Sequence, residues 1–209
     1  MKILAINGSP RKDGNCHDML EVLRKSLEKE GIEFEELWVG AKIHPCTACY
    51  KCLESAEPRC VQTDDCINEA VQKCIEADGI VLASPVYHGG IAGNLKCFID
   101  RLFLVGGLGR NIFKHKVGAA LCTVRRSGGM STYQQMLGVL DAFEMVLVTS
   151  DYWNVIHGAE KGEALKDIEG VEVIEKLGRN IAWVLKCIKQ SGIEPPVSEP
   201  RTMYNFIRE

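Results

Sequence analysis

Two groups of residues have the types and spacing to do chemistry. The first is Asn7-Gly8-Ser9-Pro10-Arg11-Lys12-Asp13-Gly14-Asn15-Cys16, which follows the apolar run Ile3-Leu4-Ala5-Ile6 and leads into a helical pattern starting near His17. A strand, a short polar loop and a helix N-terminus aim backbone N–H groups and the positive end of the helix dipole at one point. Ser9, Arg11 and Asn15 add donors suited to phosphate oxygens, so the natural occupant is a phosphorylated cofactor. The spacing matches neither Gly-x-Gly-x-x-Gly nor Gly-x4-Gly-Lys-Ser/Thr. An ordinary strand-to-helix turn would use many of the same residues.

The second group is Cys46, Cys49, Cys52 and Cys60, a C-x2-C-x2-C-x7-C array preceded by Pro45. Three thiolates on such short spacing can wrap a cuboidal iron-sulfur cluster, with the fourth closing the site. Four thiolates also satisfy zinc, although zinc sites more often pair two separate C-x2-C knuckles. Empty thiols are the third alternative. Cys66 is a reserve ligand in case Cys60 points away, and Cys16, Cys74, Cys97, Cys122 and Cys187 sit in apolar patterns as small core side chains.

Two further loops complete the chemical inventory. Ser84-Pro85-Val86-Tyr87-His88-Gly89-Gly90 offers glycines that admit a flat ligand and a semi-apolar wall from Val86 and Tyr87, which suits an isoalloxazine ring. Thr123-Val124-Arg125-Arg126-Ser127-Gly128-Gly129 could line the ring's edge, though its glycines and hydroxyls are typical of any turn. His88 could donate a proton beside such a ring, but a lone loop histidine is more often solvated, and no catalytic residue is singled out.

These loops need a scaffold that brings them to one place. Strands are expected at 3–6, 32–39, 79–84, 117–124 and 146–149, and helices at 17–29, 64–77, 94–103, 131–143 and 170–190, the first helix being closed by Gly31. Strict alternation predicts an α/β fold, a doubly wound five-stranded parallel sheet between two helical layers, because parallel strands need right-handed crossovers. The continuous apolar run Gly79–Ser84 belongs at its centre. In the flavodoxin-like order 2-1-3-4-5 the switch point lies between the first and third strands, and the phosphate loop and the Pro85–Gly89 loop leave those two strands. The expected organisation is one domain over 1–193, a cysteine-rich insertion at 45–62, and a tail at 194–209 kept extended by Pro195, Pro196 and Pro200.

The loops resemble the NADPH-dependent FMN reductase superfamily, whose flavin-phosphate loop reads Gly-Ser-x-Arg followed by Gly-Asn or Ser-Asn. The stretch from Ser84-Pro85 and Tyr87 through Leu95-Lys96 to Asp100-Arg101 is similar to its second signature, and Ser150-Asp151-Tyr152-Trp153-Asn154 looks like a loop of the same group. The cysteine array resembles that of the iron-sulfur flavoprotein branch, in the same position after the second strand. The resemblance implies FMN in preference to FAD, bound by Ser9, Pro10, Arg11, Gly14, Asn15, Cys16, Pro85, Val86, Tyr87, His88, Gly89, Thr123, Ser127 and Gly128. It also implies a [4Fe-4S] cluster on Cys46, Cys49, Cys52 and Cys60. The activity implied is electron transfer from NAD(P)H or ferredoxin to a quinone, an oxygen species or a protein.

Composition narrows the partners. A net charge of −3, from 25 basic and 28 acidic residues among 209, provides no polycationic face for nucleic acid or an anionic membrane. No run of 18 uncharged apolar residues occurs. Ten cysteines without a secretory leader point to a reducing, cytoplasmic setting. Tyr152, Trp153, the third-strand loop and the apolar end of the tail (Met203, Tyr204, Phe206, Ile207) predict a homo-oligomer, dimer or tetramer. A non-catalytic FMN electron carrier and a zinc-stabilised binding module are the competing readings.

Overall fold

A computed structural model describes residues 1–108 and 110–197. Its elements are β1 (Lys2–Asn7), α1 (Asn15–Lys29), β2 (Glu33–Trp38), α2 (Lys51–Glu54), α3 (Ile67–Glu76), β3 (Gly79–Tyr87), β4 (Gly90–Ile91), α4 (Gly93–Gly107), β5 (Val117–Val124), α5 (Gly129–Asp141), β6 (Val146–Leu147), β7 (Val155–His157), a 3₁₀ turn (Glu163–Lys166) and α6 (Ile168–Ser191). The parallel path runs β2-β1-β3-β5-β6, which is the flavodoxin-like order.

The period of two along each strand divides the core. Ile3 and Ala5 of β1, Val81 and Ala83 of β3, and Val117, Ala119 and Leu121 of β5 face α1 and α6. Leu4 and Ile6 of β1, Ile80 and Leu82 of β3, and Ala120 and Cys122 of β5 face α3, α4 and α5. Both faces are covered, which is why the central strands read as unbroken apolar runs. Among the described residues no helix is long and apolar enough to cross a membrane.

Among the described residues the sheet has seven strands, not five, for two local reasons. Tyr87 and Gly90 pair across His88 (φ +50°) and Gly89 (φ +76°), so β3 turns back through a two-residue hairpin into β4. Positive φ at both central residues is the geometry of a type I′ turn, and it matches strand twist. The expected fifth strand is divided: β6 pairs with the start of β5 at Val117 and Gly118, and β7 pairs with its end at Cys122–Val124. Buried Asn154 bridges the gap, donating from Nδ2 to Ala120 O (2.9 Å) and accepting Cys122 N on its carbonyl (2.9 Å). Helix α1 starts at Asn15, two residues earlier than the apolar period indicates, and α3 starts at Ile67, after Asp65 accepts the Ile67 N–H (3.2 Å). Residues 194–197 have no regular structure, and the expected tail contacts of Met203–Ile207 lie outside the described residues.

Candidate functional site

The phosphate loop is held by a chain of hydrogen bonds starting on β2. Glu36 accepts from Asn7 Nδ2 (2.7 Å), Asn7 Oδ1 accepts from Ser9 N (3.0 Å), and Ser9 Oγ accepts from Arg11 N (3.1 Å). The Ser9 hydroxyl proton is thereby left for a ligand oxygen. Trp38 Nε1 donates to Ser9 O (2.8 Å), and His17 Nδ1 lies 2.8 Å from Glu36 Oε2, so β2 supports the loop from one side. Gly14 caps α1 without a side-chain bond, leaving first-turn N–H groups for an anion.

A cleft of about 240 Å³ opens at this loop, lined by Ser9, Arg11, Gly14, Asn15, Cys16, Pro85, Val86, Tyr87 and Thr123. The β3–β5 register, with Pro85 opposite Thr123, accounts for the meeting of residues so distant in sequence. Asn15 is partly committed, since its Oδ1 accepts from Ala164 N (3.4 Å). Cys16 is buried against Thr123 Oγ1 (3.2 Å), and burial pushes its thiol up to about 12, so it forms an inert wall.

Pro10, His88, Gly89, Ser127 and Gly128 are not part of the cleft wall. His88 and Gly89 form the hairpin tip. It is tied to α5 by Ser131 Oγ, which bonds Gly89 O (2.6 Å) and Gly128 O (3.0 Å). Conversely, Arg125, Gly158, Ala159 and Glu160 line the cleft without having been expected. Arg125 is a second guanidinium on the same cleft and carries the clearest sequence signal of the four, because it follows the fourth strand directly. The loop at 158–160 enters only through β7, a strand too short to show a period.

The four cysteines Cys46, Cys49, Cys52 and Cys60 line a second, smaller cavity together with Arg101, Leu104 and Val105 of α4. The segment is held from outside. Asn68 of α3 brackets the Cys60 backbone, accepting its N–H (2.8 Å) and donating to its carbonyl (3.1 Å), while Arg110 donates to Cys52 O (3.0 Å) and Ser55 O. Ala48 (φ +51°) and Tyr50 (φ +56°) flank Cys49 in the left-handed region, a conformation costing roughly 1–2 kcal/mol per residue. Such strain persists where the surroundings over-determine it, and it gathers at functional loops.

The thiols differ in environment. The exposed Cys49 is lowered below the ordinary thiol value by the Lys51 N–H and the Thr47 hydroxyl, whereas burial raises Cys52. Ala48 N donates to Cys46 Sγ (3.4 Å) and Arg101 Nη2 to Cys60 Sγ (3.3 Å). Among the described residues, no three of these sulfurs lie within 4.8 Å of one another. Tetrahedral zinc with bonds of ~2.3 Å needs sulfurs roughly 3.8 Å apart, a spacing this quartet does not present, while four thiolates are also the donor set of a polynuclear iron-sulfur centre. Cys66 lies outside this cavity, its thiol 3.8 Å from Val39 O and raised by burial to about 11.

Comparisons with known proteins agree with this geometry. Residues 1–160 match the family model described as NADPH-dependent FMN reductase. An iron-sulfur flavoprotein of Methanocaldococcus jannaschii is 36% identical over 200 residues, covering 91% of this chain and all of the relative. An iron-sulfur flavoprotein of Methanosarcina thermophila is 31% identical over 196 residues, covering 91% of this chain and 98% of the relative. Among solved structures, the NAD(P)H:quinone oxidoreductase from Methanothermobacter marburgensis superposes with a TM-score of 0.64 at 16% identity, covering 87% of this chain and 96% of that one, a likeness of fold. The phosphate loop, the hairpin after β3 and the four-cysteine segment after β2 thus occur together in a chain that belongs to the NADPH-dependent FMN reductase family, in its iron-sulfur flavoprotein branch.

Proposed function

We propose that the protein is an FMN-dependent oxidoreductase that passes electrons between FMN and a [4Fe-4S] cluster. Ser9, Arg11 and Asn15, with the first-turn N–H groups of α1, would hold the flavin phosphate; Pro85, Val86 and Tyr87 would flank the ring, with Thr123 at its edge. Cys46, Cys49, Cys52 and Cys60 would hold the cluster. Bound FMN supplies one- and two-electron chemistry and the cluster one-electron chemistry, so the chain's task is to bind, orient and exclude water. Arg11 and Arg125 would neutralise the phosphate side, while Leu104 and Val105 would form an apolar wall beside the cluster.

The observation that carries the reading is the link between the two cavities. Helix α4 begins beside the hairpin, where Ala92 N donates to Ser84 Oγ (3.0 Å), and two turns later presents Arg101, Leu104 and Val105 to the cysteines. The eight helical steps from Gly93 to Arg101 span roughly 12 Å. The electron donor in this reading is NAD(P)H or ferredoxin, and the acceptor a quinone, an oxygen species or a protein. The protein works as a homo-oligomer, and its ten free thiols fit the reducing cytoplasm.

The test is anaerobic purification followed by a visible spectrum and measurement of flavin, iron, sulfide and zinc. One FMN with about four irons and four sulfides per chain is expected. A colourless protein containing zinc would overturn the reading. Steady-state turnover with NADH, NADPH and reduced ferredoxin then separates an enzyme from a carrier, the latter showing flavin and cluster but no turnover with small acceptors.

A further inference from the structure

Arg101 is almost fully buried, with 1% of its side chain exposed, and so is its partner Asp65. Its guanidinium reaches four acceptors: Nη1 donates to Asp65 Oδ2 and to His44 O (3.3 Å), and Nη2 to Gln62 O (3.1 Å) and Cys60 Sγ (3.3 Å). These acceptors lie on both sides of the cysteine segment, so one residue of α4 closes the loop. Only the planar fork of arginine serves so many at once. The arrangement is nevertheless expensive for a mere strut. Burying two charges costs several kcal/mol per ion before pairing, and Nε is buried with no partner. A neutral thiol is also a poor acceptor for a cation; the Nη2–Sγ contact becomes a strong, charge-assisted bond when the sulfur is a thiolate ligand.

We propose that Arg101 is the positioning residue that sets the reduction potential of the cysteine-bound cluster, through its hydrogen bond to the Cys60 sulfur and its charge beside the cavity, with Asp65 as the opposing adjustment. The inference rests on the reading of the four cysteines as a [4Fe-4S] site. Reduction adds one electron to the cluster, and a nearby cation and N–H donor stabilise that more negative state, raising the potential. The Asp65 carboxylate acts in the opposite sense, which makes the pair testable in both directions.

The experiment is an anaerobic titration of the full-length protein with dithionite and mediators, following the reduced cluster by electron paramagnetic resonance, with iron and sulfide measured on each sample. Arg101→Gln is expected to lower the reduced-to-oxidised ratio at fixed potential about tenfold, equivalent to ~59 mV for one electron. Arg101→Lys should move it less in the same direction. Asp65→Asn, which keeps the acceptor for Ile67 N, should move it oppositely. Wild-type protein without iron and sulfide would remove the underlying cluster reading. Cluster-loaded wild type and Asp65→Asn or Arg101→Lys with identical potentials would overturn the role of Arg101 alone, even if Arg101→Gln fails to load. Lower melting temperature or lost iron with an unchanged potential in the loaded fraction marks a structural strut only and also overturns it.

Discussion

Arg11 reaches the cleft from an exposed turn, and this sets the size of the effect expected from its removal. A charge-assisted hydrogen bond contributes about 1.5–3 kcal/mol, and solvent screening places an exposed group at the lower end. Arg11→Ala should therefore weaken FMN binding about tenfold, measured by quenching of flavin fluorescence, and Arg125→Ala should act similarly if both guanidiniums face the phosphate. The buried thiols give a second residue-level expectation. Cys16, Cys74 and Cys122 are each pushed up to about 12 by burial, so they keep their protons in the folded state above pH 9, where the unfolded chain begins to lose them. The unfolded state then binds fewer protons, and stability must fall as pH rises from about 9 toward 12. Lys116, lowered by burial, and the exposed Cys49, lowered by hydrogen bonds, oppose this, while Cys66, raised by burial to about 11, and the buried Tyr133 add to it. Urea melts at pH 8 and pH 10 should show the loss, with Cys16, Cys74 and Cys122 unlabelled by iodoacetamide at pH 8 while exposed Cys187 reacts. A flat profile would contradict the burial argument.

Helix α4 lines the cysteine cavity with its second half, and Leu95 in its first turn packs against Gly8 of the phosphate loop. A Cβ on Gly8 would lie 2.6 Å from Leu95, so Gly8→Ala must push the loop off α4 or displace Leu95. Overpacking of this kind costs typically 1–3 kcal/mol, and the expected result is lower thermal stability together with weaker FMN binding, read by thermal melts with and without excess FMN. Unchanged affinity would mean that the loop need not sit against α4. At this scale the sequence was legible wherever periodicity is local. The five principal strand positions and five main helices are visible because the strands carry unbroken apolar runs, as in Ile80–Ala83, and the helices repeat apolar residues with a period of 3.6, as in Met19–Leu27. What stayed hidden depends on distant partners. β7 exists because Cys122–Val124 offer a free edge to Val155–His157, and buried Asn154 inside an exposed aromatic loop gives no apolar signal. The cleft residues at 158–160 were lost with it. Arg101 reads as a polar position on an amphipathic helix, and only tertiary packing turns it toward Asp65 and Cys60.

The whole molecule leaves its candidate flavin site incomplete on one side. A cleft of about 240 Å³ falls below the roughly 300–1,000 Å³ that buries most of a drug-sized ligand, so a ring lying along Pro85–Tyr87 would remain open outward. The surface around that opening is aromatic. Tyr87 is 46% exposed at the hairpin, and Tyr152 and Trp153 are 58% and 50% exposed with ring centroids 4.8 Å apart. Helix α5 joins these regions, since its Ser131 holds the hairpin while Met130, Tyr133 and Leu137 line a groove with Tyr152 and Trp153. The groove holds one ion pair, Asp151 with the exposed Lys176, beside its aromatic side chains, and a net charge of −3 offers little repulsion between copies. Two-fold association across it would cover the outer face of the flavin and bury surface that one domain leaves wet. Light scattering on the chromatographed protein should therefore give at least twice the chain mass. The double change Tyr152→Ala with Trp153→Ala should shift the mass toward one chain and lower flavin occupancy, with the far-ultraviolet circular dichroism unchanged because neither ring is in the core. A stable wild-type monomer retaining one FMN per chain would show that the domain closes its flavin site alone.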